Sequence, residues 1–448
     1  MDLLLLLPRF LVGLGGAISK MARSLAWVLA GFALAFGLMS CGGGGGEGGV
    51  SGGGTGGGSP GPLANSAPAN SFGSVVGLGS IFVGAYEFDD ALVKVTAQDG
   101  LPVTAADLGL GVQVSVLNEK TSQTLSLNAN NPTGSIQIRR QFLGVLKANG
   151  ADSKIGFLNG QVVYFDRRTA VVGTATIAGL RDTLVQVAGY LEPTLNQVVV
   201  TRIEPASQAQ IAQDQIYIAA RVQSIDAASA SVSVGFATVS LAAIQPAQAV
   251  QVNDIIRVQG KLSSGSAPNL VAAKLTKITP LAGVGGSTFR GIVYSRPTAA
   301  APNTPLIVDG YEVQLPSSLI ASLVDLRRGS LVEVRGTLDN TVLKNASLVI
   351  IGSPKTTLPD EELVVDQPII NPNGRPQGDY LIFKSPVQSV NADGSFVVRG
   401  VRVVLFNPRP GSPGPSVQVG EIISLAGEAA TDAAGFYIFA QLSDGVTQ

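Results

Sequence analysis

Few residues of this chain combine type and spacing in a way that could do chemistry. Cys41 is the one thiol in 448 residues, and it follows an apolar run, Leu25 to Met39, and precedes a tract that is mostly glycine. A cysteine placed so can be an attachment point on its sulfur. The other candidates are acidic and basic neighbours. Asp89-Asp90 and Asp360-Glu361-Glu362 bring carboxylates together in sequence, whereas carboxylate hydrolysis of a glycosidic bond needs a pair ~5 to 9.5 Å apart across a cleft. The pairs Arg139-Arg140, Arg167-Arg168 and Arg327-Arg328 could meet anionic sugars or lipid, and as isolated surface charges they are expected to be solvated strand ends. Asn391-Ala392-Asp393-Gly394 has the letters of a calcium loop, but Asp-Gly between two strand-like runs is a hairpin turn. A Ser-x-x-Lys nucleophile pair is absent from the sequence.

Composition removes further chemistries. The chain has no histidine, its one tryptophan is Trp27, and its three methionines, Met1, Met21 and Met39, all precede Cys41. Downstream of Cys41 there is thus nothing for Ser-His-Asp or Cys-His catalysis, histidine-based zinc or iron sites, or haem ligation by His or Met. Disulfide staples are excluded too. No cofactor and no metal are expected. The 30 Lys+Arg and 31 Asp+Glu residues give a net charge of −1, shifting to about −3 beyond Cys41. On net charge the sequence predicts no nucleic-acid partner.

The segment leading to the cysteine has the parts of a secretion signal: Met21-Ala22-Arg23-Ser24 as basic start, Leu25 to Gly37 as apolar centre, and a small-residue exit. Leu38-Met39-Ser40-Cys41 resembles the lipobox of bacterial lipoproteins, which implies cleavage before Cys41 and acylation of its sulfur. An uninterrupted apolar run of this length is short of the ~20 residues a transmembrane helix needs. Residues 1–40 therefore read as a lipoprotein signal, with translation expected to begin at Met21; N-terminal sequencing of an uncleaved Cys41→Ala precursor tests this. Residues 41–70 read as anchor and tether, with an r.m.s. reach of about 30 Å. One acyl chain anchors only marginally, so stable attachment takes two or more. Gly42 after the cysteine resembles outer-membrane sorting in Gram-negative bacteria. A phosphate-cradling reading of the glycines fails for want of a preceding strand and a following helix with lysine.

The rest of the chain is built by repetition. Val250 to Ile278, "VQVNDIIRVQGKLSSGSAPNLVAAKLTKI", shares its frame with Leu326 to Ile351, Gly179 to Glu204 and Val417 to Leu442. Val, Ile and Leu alternating with polar residues at short spacing predict half-buried antiparallel strands. Five units are expected, at 71–140, 141–205, 215–280, 287–352 and 380–444, with 353–379 as a Pro-rich acidic linker. A lone sheet of five or six strands would expose two edges, so each unit is predicted to close into a small barrel. The predicted fold class is all-β, with tandem antiparallel barrels of the oligonucleotide/oligosaccharide-binding type.

Gly77-Leu78-Gly79-Ser80-Ile81-Phe82-Val83-Gly84-Ala85-Tyr86-Glu87-Phe88-Asp89 and Leu108 to Val116 resemble the domain-of-unknown-function 5666 family of bacterial lipoproteins and secreted proteins. That family carries an Asn-Gly turn where this chain has Gly84-Ala85. The resemblance implies repeated barrels without supplying a reaction. Independently, Gly77-Leu78-Gly79 fits a strand bend or bulge, and it lacks the third glycine of a dinucleotide fingerprint.

The expectation is a non-enzymatic, lipid-anchored envelope protein of the outer membrane, with a binding or scaffolding role toward an envelope protein or polysaccharide. A polysaccharide-binding module and a carboxylate-dependent hydrolase are the alternatives. Against the former stands the 6% aromatic content, since sugar platforms use exposed rings. Tyr86, Tyr164, Tyr217, Tyr294, Tyr311 and Tyr437 are the tyrosines in or beside strand frames that could serve as such a platform, most of them expected to be half-buried in the core.

Overall fold

The computed structural model describes residues between 70 and 442, apart from connecting segments, chiefly 118–134, 207–215, 358–377 without Ile369, and 406–416. Almost all of the regular structure is β. Barrel I comprises β1 (Asn70–Leu78), β2 (Ile81–Val83), β3 (Tyr86–Phe88), β4 (Lys94–Ala97), β5 (Gln113–Leu117) and β6 (Ser135–Arg139). Barrel II comprises β7 (Phe142–Asn149), β8 (Asp152–Leu158), β9 (Gln161–Val171), β10 (Leu184–Glu192) and β11 (Gln197–Pro205). Barrel III follows with β12 (Ile216–Asp226), β13 (Ser231–Val234), β14 (Ala237–Ser240), β15 (Ile255–Leu262) and β16 (Asn269–Ile278). Barrel IV has β17 (Ser287–Ser295), β18 (Ile307–Val308), β19 (Tyr311–Val313), β20 (Leu331–Asp339) and β21 (Val342–Gly352). Barrel V has β22 (Tyr380–Pro386), β23 (Ser389–Val390), β24 (Phe396–Val398), β25 (Val401–Leu405), β26 (Ile422–Asp432) and β27 (Gly435–Leu442).

One pairing scheme recurs. In barrel II, β7 pairs antiparallel with β8, β8 with β9, β9 runs parallel to β11, β11 pairs back to β10, and β10 closes on β7. Barrels III and IV repeat this order strand for strand. In barrel V the first strand is broken into β22 and β23, and in barrel I the third is divided between β3 and β4. This is the five-stranded Greek-key barrel of the oligonucleotide/oligosaccharide-binding type.

Two local devices make the closure possible. The first strand of every barrel is gripped by the turn before the fourth strand through a reciprocal pair of backbone hydrogen bonds, made at Val75, Leu146, Val222, Val293 and Val387. The donating turn residues, Gly111, Asp182, Asn253, Gly329 and Gly420, all have φ between 61° and 86°. Glycine, Asn and Asp tolerate that left-handed conformation, which is why the sequence puts those types there. The second device is a glycine in the fourth strand. A Cβ on Gly189, Gly260 or Gly427 would lie 2.3, 2.0 or 2.5 Å from a fifth-strand carbonyl oxygen, so only glycine lets the two strands coil this closely.

A barrel of about 65 residues has little core to spare, and the barrels pack on one another. Their first strands do much of the joining. The start of β1 pairs parallel with β17 and its end with β22, while β7 pairs antiparallel with β12. Phe72 of β1 stacks on Phe289 with ring centroids 4.6 Å apart, and Tyr311 closes the trio. Barrel I docks on barrel II through Gly111, whose Cβ position is 2.1 Å from the Thr201 carbonyl oxygen. There the Thr201 hydroxyl donates to the Gly111 carbonyl at 2.7 Å, and the Arg202 guanidinium donates to that of Leu110 at 3.0 Å.

Candidate functional site at the barrel junction

Where barrels II, IV and V meet, charged and phenolic side chains are buried together. Strand β9 supplies Asp166, Arg167 and Arg168, the only charged residues of its eleven. The Arg167 guanidinium donates to both oxygens of Asp379, at 2.6 and 3.0 Å, just ahead of β22. Asp379 accepts a further bond from the Ala429 N–H at 3.0 Å. Arg168 turns the other way and donates to Asp166 Oδ2 at 2.8 Å, while its own N–H caps Asp166 Oδ1. The Tyr380 hydroxyl donates to the Arg168 carbonyl oxygen, tying barrel V to β9 a second time.

Barrel IV enters through Tyr294 and Asp309. Tyr294 and Tyr190 of β10 share a hydrogen bond between their hydroxyls. Asp309, in the turn between β18 and β19, accepts the Ile292 N–H at 2.8 Å and is bonded by Tyr190. The next residue, Gly310, lies so close to β10 that a Cβ would be 2.3 Å from the Leu191 carbonyl oxygen. Ile369 is buried against Tyr190, Val199, Ile292 and Tyr294. A cavity of about 120 Å³ opens beside the cluster, with Ser74 of barrel I, Thr201, Arg290, Asp309, Asp379 and Tyr380 in its wall. That is smaller than the ~300–1,000 Å³ of a drug-sized ligand site, and it is polar enough to suit ordered water.

Burial sets the electrostatics. It pushes the Asp309 carboxyl up to about 6, against the opposing pull of the Ile292 N–H and Arg168. It also raises Asp379, with Arg167 and Arg168 resisting. Burial opposes the charge on Arg168, but Asp166 and the groups around it more than offset this and hold its pKa well above the ordinary value. Tyr190, Tyr294 and Tyr380 are all raised by burial, so they stay protonated as donors. Every carboxylate named is held by a guanidinium, a backbone N–H or a phenol. Such a network couples three barrels, and burial makes two of its members, Asp309 and Asp379, easier to protonate than an ordinary carboxyl.

The sequence-based candidates fare unevenly. Cys41 with Leu38, Met39 and Ser40, the pair Asp89-Asp90, and Asp360-Glu361-Glu362 lie outside the described residues. The expectation that Arg167-Arg168 is a solvated strand end is corrected: with side chains 14% and 22% exposed, both sit in ion pairs. They are drawn inward because β9 lies between barrels. Asn391 to Ser395 forms a tight turn, with Gly394 at φ 81° and Asp393 accepting the Ser395 N–H. The bend at Gly77-Leu78-Gly79 carries a register shift between Val75 and Gly77. Tyr217, Tyr294 and Tyr311 are buried, and Tyr164 and Tyr437 are half-buried. Asp166, Tyr190, Asp309, Asp379 and Tyr380 were not singled out from sequence. One signal for them was available, three consecutive charges inside a strand of Val, Tyr and Phe. Among the described residues, no group of three or more His, Cys, Asp or Glu is placed to hold a metal ion, and no helix is long and apolar enough to cross a membrane.

No family model matches the chain, and no curated protein matches it. Among solved structures it is similar to the wild-type single-stranded DNA-binding protein of Thermus aquaticus, at 16% identity, covering 32% of this chain and 84% of that one with a TM-score of 0.13. A deletion mutant of the same protein matches at 15% identity, 33% and 85% coverage and a TM-score of 0.12. Likeness at this level carries no argument about what this chain binds. It does run against the exclusion of nucleic acid drawn from net charge, and that expectation is corrected. The physical reason is that net charge sums the whole chain, whereas single strands are bound by a local groove and stacking faces.

Proposed function

We propose that the chain is a lipid-anchored protein of the bacterial cell envelope, acylated on Cys41 and working as a binding or scaffolding body without catalysis of its own. The observation that carries this reading is the sequence Leu38-Met39-Ser40-Cys41 between an apolar run and a glycine-rich tract. The tandem resemblance to the domain-of-unknown-function 5666 lipoproteins agrees with it. The barrel junction adds support of another kind. The Arg167–Asp379 ion pair and the hydroxyl bonds of Tyr294 and Tyr380 cross from barrel to barrel, an arrangement suited to holding barrels in fixed positions. Two or more acyl chains on Cys41 would give stable attachment, with Gly42 favouring the outer membrane.

The test is to express the full chain and Cys41→Ala in a Gram-negative host, follow incorporation of a labelled fatty acid, and fractionate the membranes. The expected result is label on the wild type alone, together with salt-resistant sedimentation in the outer-membrane fraction that Cys41→Ala loses. An unlabelled wild type, or a Cys41→Ala protein that stays in the outer membrane after salt extraction, would overturn the reading.

A further inference from the structure

The five barrels can be superimposed in sequence by the grip on the first strand, and two rim positions then become comparable. One lies immediately before the left-handed turn residue, and the other three residues beyond the gripped residue of the first strand. In barrel II these positions hold Arg181 and Asn149, and in barrel IV Arg328 and Arg296. Barrels I, III and V have apolar pairs instead: Leu110 with Leu78, Val252 with Ile225, and Val419 with Val390.

The apolar pair of barrel I is covered. Leu110 is 1% and Leu78 3% exposed, and the turn that carries Leu110 rests on the fifth strand of barrel II at Thr201 and Arg202. The pairs of barrels III and V face solvent. Val252 is 49% and Ile225 42% exposed, Val419 66% and Val390 42%, and Ile422 beside Val419 is 42% exposed. The fifth strands divide in a similar way, although what covers barrel II there is barrel IV and not a rim: Val199, on the outer face of the strand, is buried against Tyr294 and Ile292 of barrel IV. Its equivalent in barrel III, fixed by the fourth-strand glycines Gly189 and Gly260, is Val271, which is 43% exposed.

We propose that the rims of barrels III and V are docking surfaces for a second copy of this chain. They would seat on the outer face of a fifth strand such as β16 of barrel III, repeating between chains the contact that joins barrel I to barrel II within one. A sister barrel is the occupant because that pair of surfaces already meets inside the molecule, with the rim's backbone carbonyls accepting from the strand's side chains. Barrel III offers Lys274 at the position of Arg202, both set by the register shift just before the fourth-strand glycine, where Ala188 faces Arg202 and Gln259 faces Lys274, so a donor is in place to meet the carbonyl of Val252 or Val419. The polar rims of barrels II and IV make no such surface.

The test is sedimentation of the purified full-length protein in detergent over a wide concentration range, alongside the Val252→Asp/Val419→Asp double variant. Val324→Asp, at an 82% exposed position outside the rim pairs, is the control. Concentration-dependent self-association is expected in the wild type and in Val324→Asp, weakened by about tenfold or more in the double variant, the size of one lost apolar anchor. Circular dichroism should be the same for all three. Lys274→Cys paired with Val252→Cys in a Cys41→Ser background should crosslink between chains. A wild type that is monomeric at every concentration, or association unchanged by the double variant, would overturn the proposal.

Discussion

Barrels II and III have the same strand order and the same grip and glycine devices, yet they are held to the molecule by different physics. The third strand of barrel II runs for eleven residues and carries Asp166, Arg167 and Arg168 into a buried junction with barrels IV and V. The third strand of barrel III is the four uncharged residues Ala237–Ser240. Barrel III is joined through the short ladder between β7 and β12, the packing of Tyr217 with Leu143 and Ala206, a 3.3 Å hydrogen bond from the Tyr217 hydroxyl to Gln186, and the charge of Arg221 facing Glu312 of barrel IV. Behind Tyr217, the Arg257 guanidinium stacks 4.0 Å from the ring centroid, and burial lowers its pKa to about 10. Extending one strand and charging its middle turned a repeated module into the centre of an assembly. A barrel without that extension stays peripheral.

The comparison breaks first at Arg167. Arg167→Met leaves Asp379, its side chain 4% exposed, without its guanidinium, a loss of about 3–5 kcal/mol. Denaturant unfolding followed on the strands of barrels II and V should shift, and those of barrel III should not. Replacing both partners, Arg167→Met with Asp379→Asn, should restore most of the loss, since a neutral amide needs no guanidinium and its Oδ1 still accepts the Ala429 N–H. Gly111→Ala comes next. It puts a Cβ against the Thr201 carbonyl oxygen at φ 76°, costing about 1–3 kcal/mol. A thermal melt should show it.

Acidity separates the two regions by sign. The folded-state pKa of Asp309 is about 6, above the ordinary ~3.9, so the folded form holds the extra proton between these values. Stability of the junction therefore falls as pH rises from about 4 to about 6, and Asp379 pushes the same way. In barrel III, Ser229 bonds hold Asp226 below the usual range, and the Lys277 bond does so for Asp254. Their contribution is present above about 4 and lost as pH falls below it. Asp309→Asn should flatten the junction's slope while leaving the acid loss in barrel III intact, as measured by melts from pH 3 to 7. The smallest effect is expected of Tyr217→Phe, which removes the partly buried hydrogen bond to Gln186 and costs about 0.5–1.5 kcal/mol, felt at the contact between barrels II and III.

The fold class was legible because its causes are local. In β26 the apolar Ile423, Leu425 and Ala429 alternate inward with half-exposed neighbours, and the turn and strand glycines punctuate the repeat at fixed offsets. The junction was not legible. Its members come from positions 166–168, 190, 294, 309 and 379–380, and what brings them together is the pairing of whole barrels. Sequence neighbours alone made Arg167-Arg168 look like a solvated pair. Arg167 is paired with Asp379 ahead of barrel V, 212 residues away in the chain, which sequence neighbours could not show.

The most direct test of this account is hydrogen exchange on the full chain and on Arg167→Met, read strand by strand. The expected result is that β9, β10, β17 and β22 lose protection together in the variant while β12, β15 and β16 keep theirs. Equal loss in barrel III, or unchanged protection across the four junction strands, would contradict it.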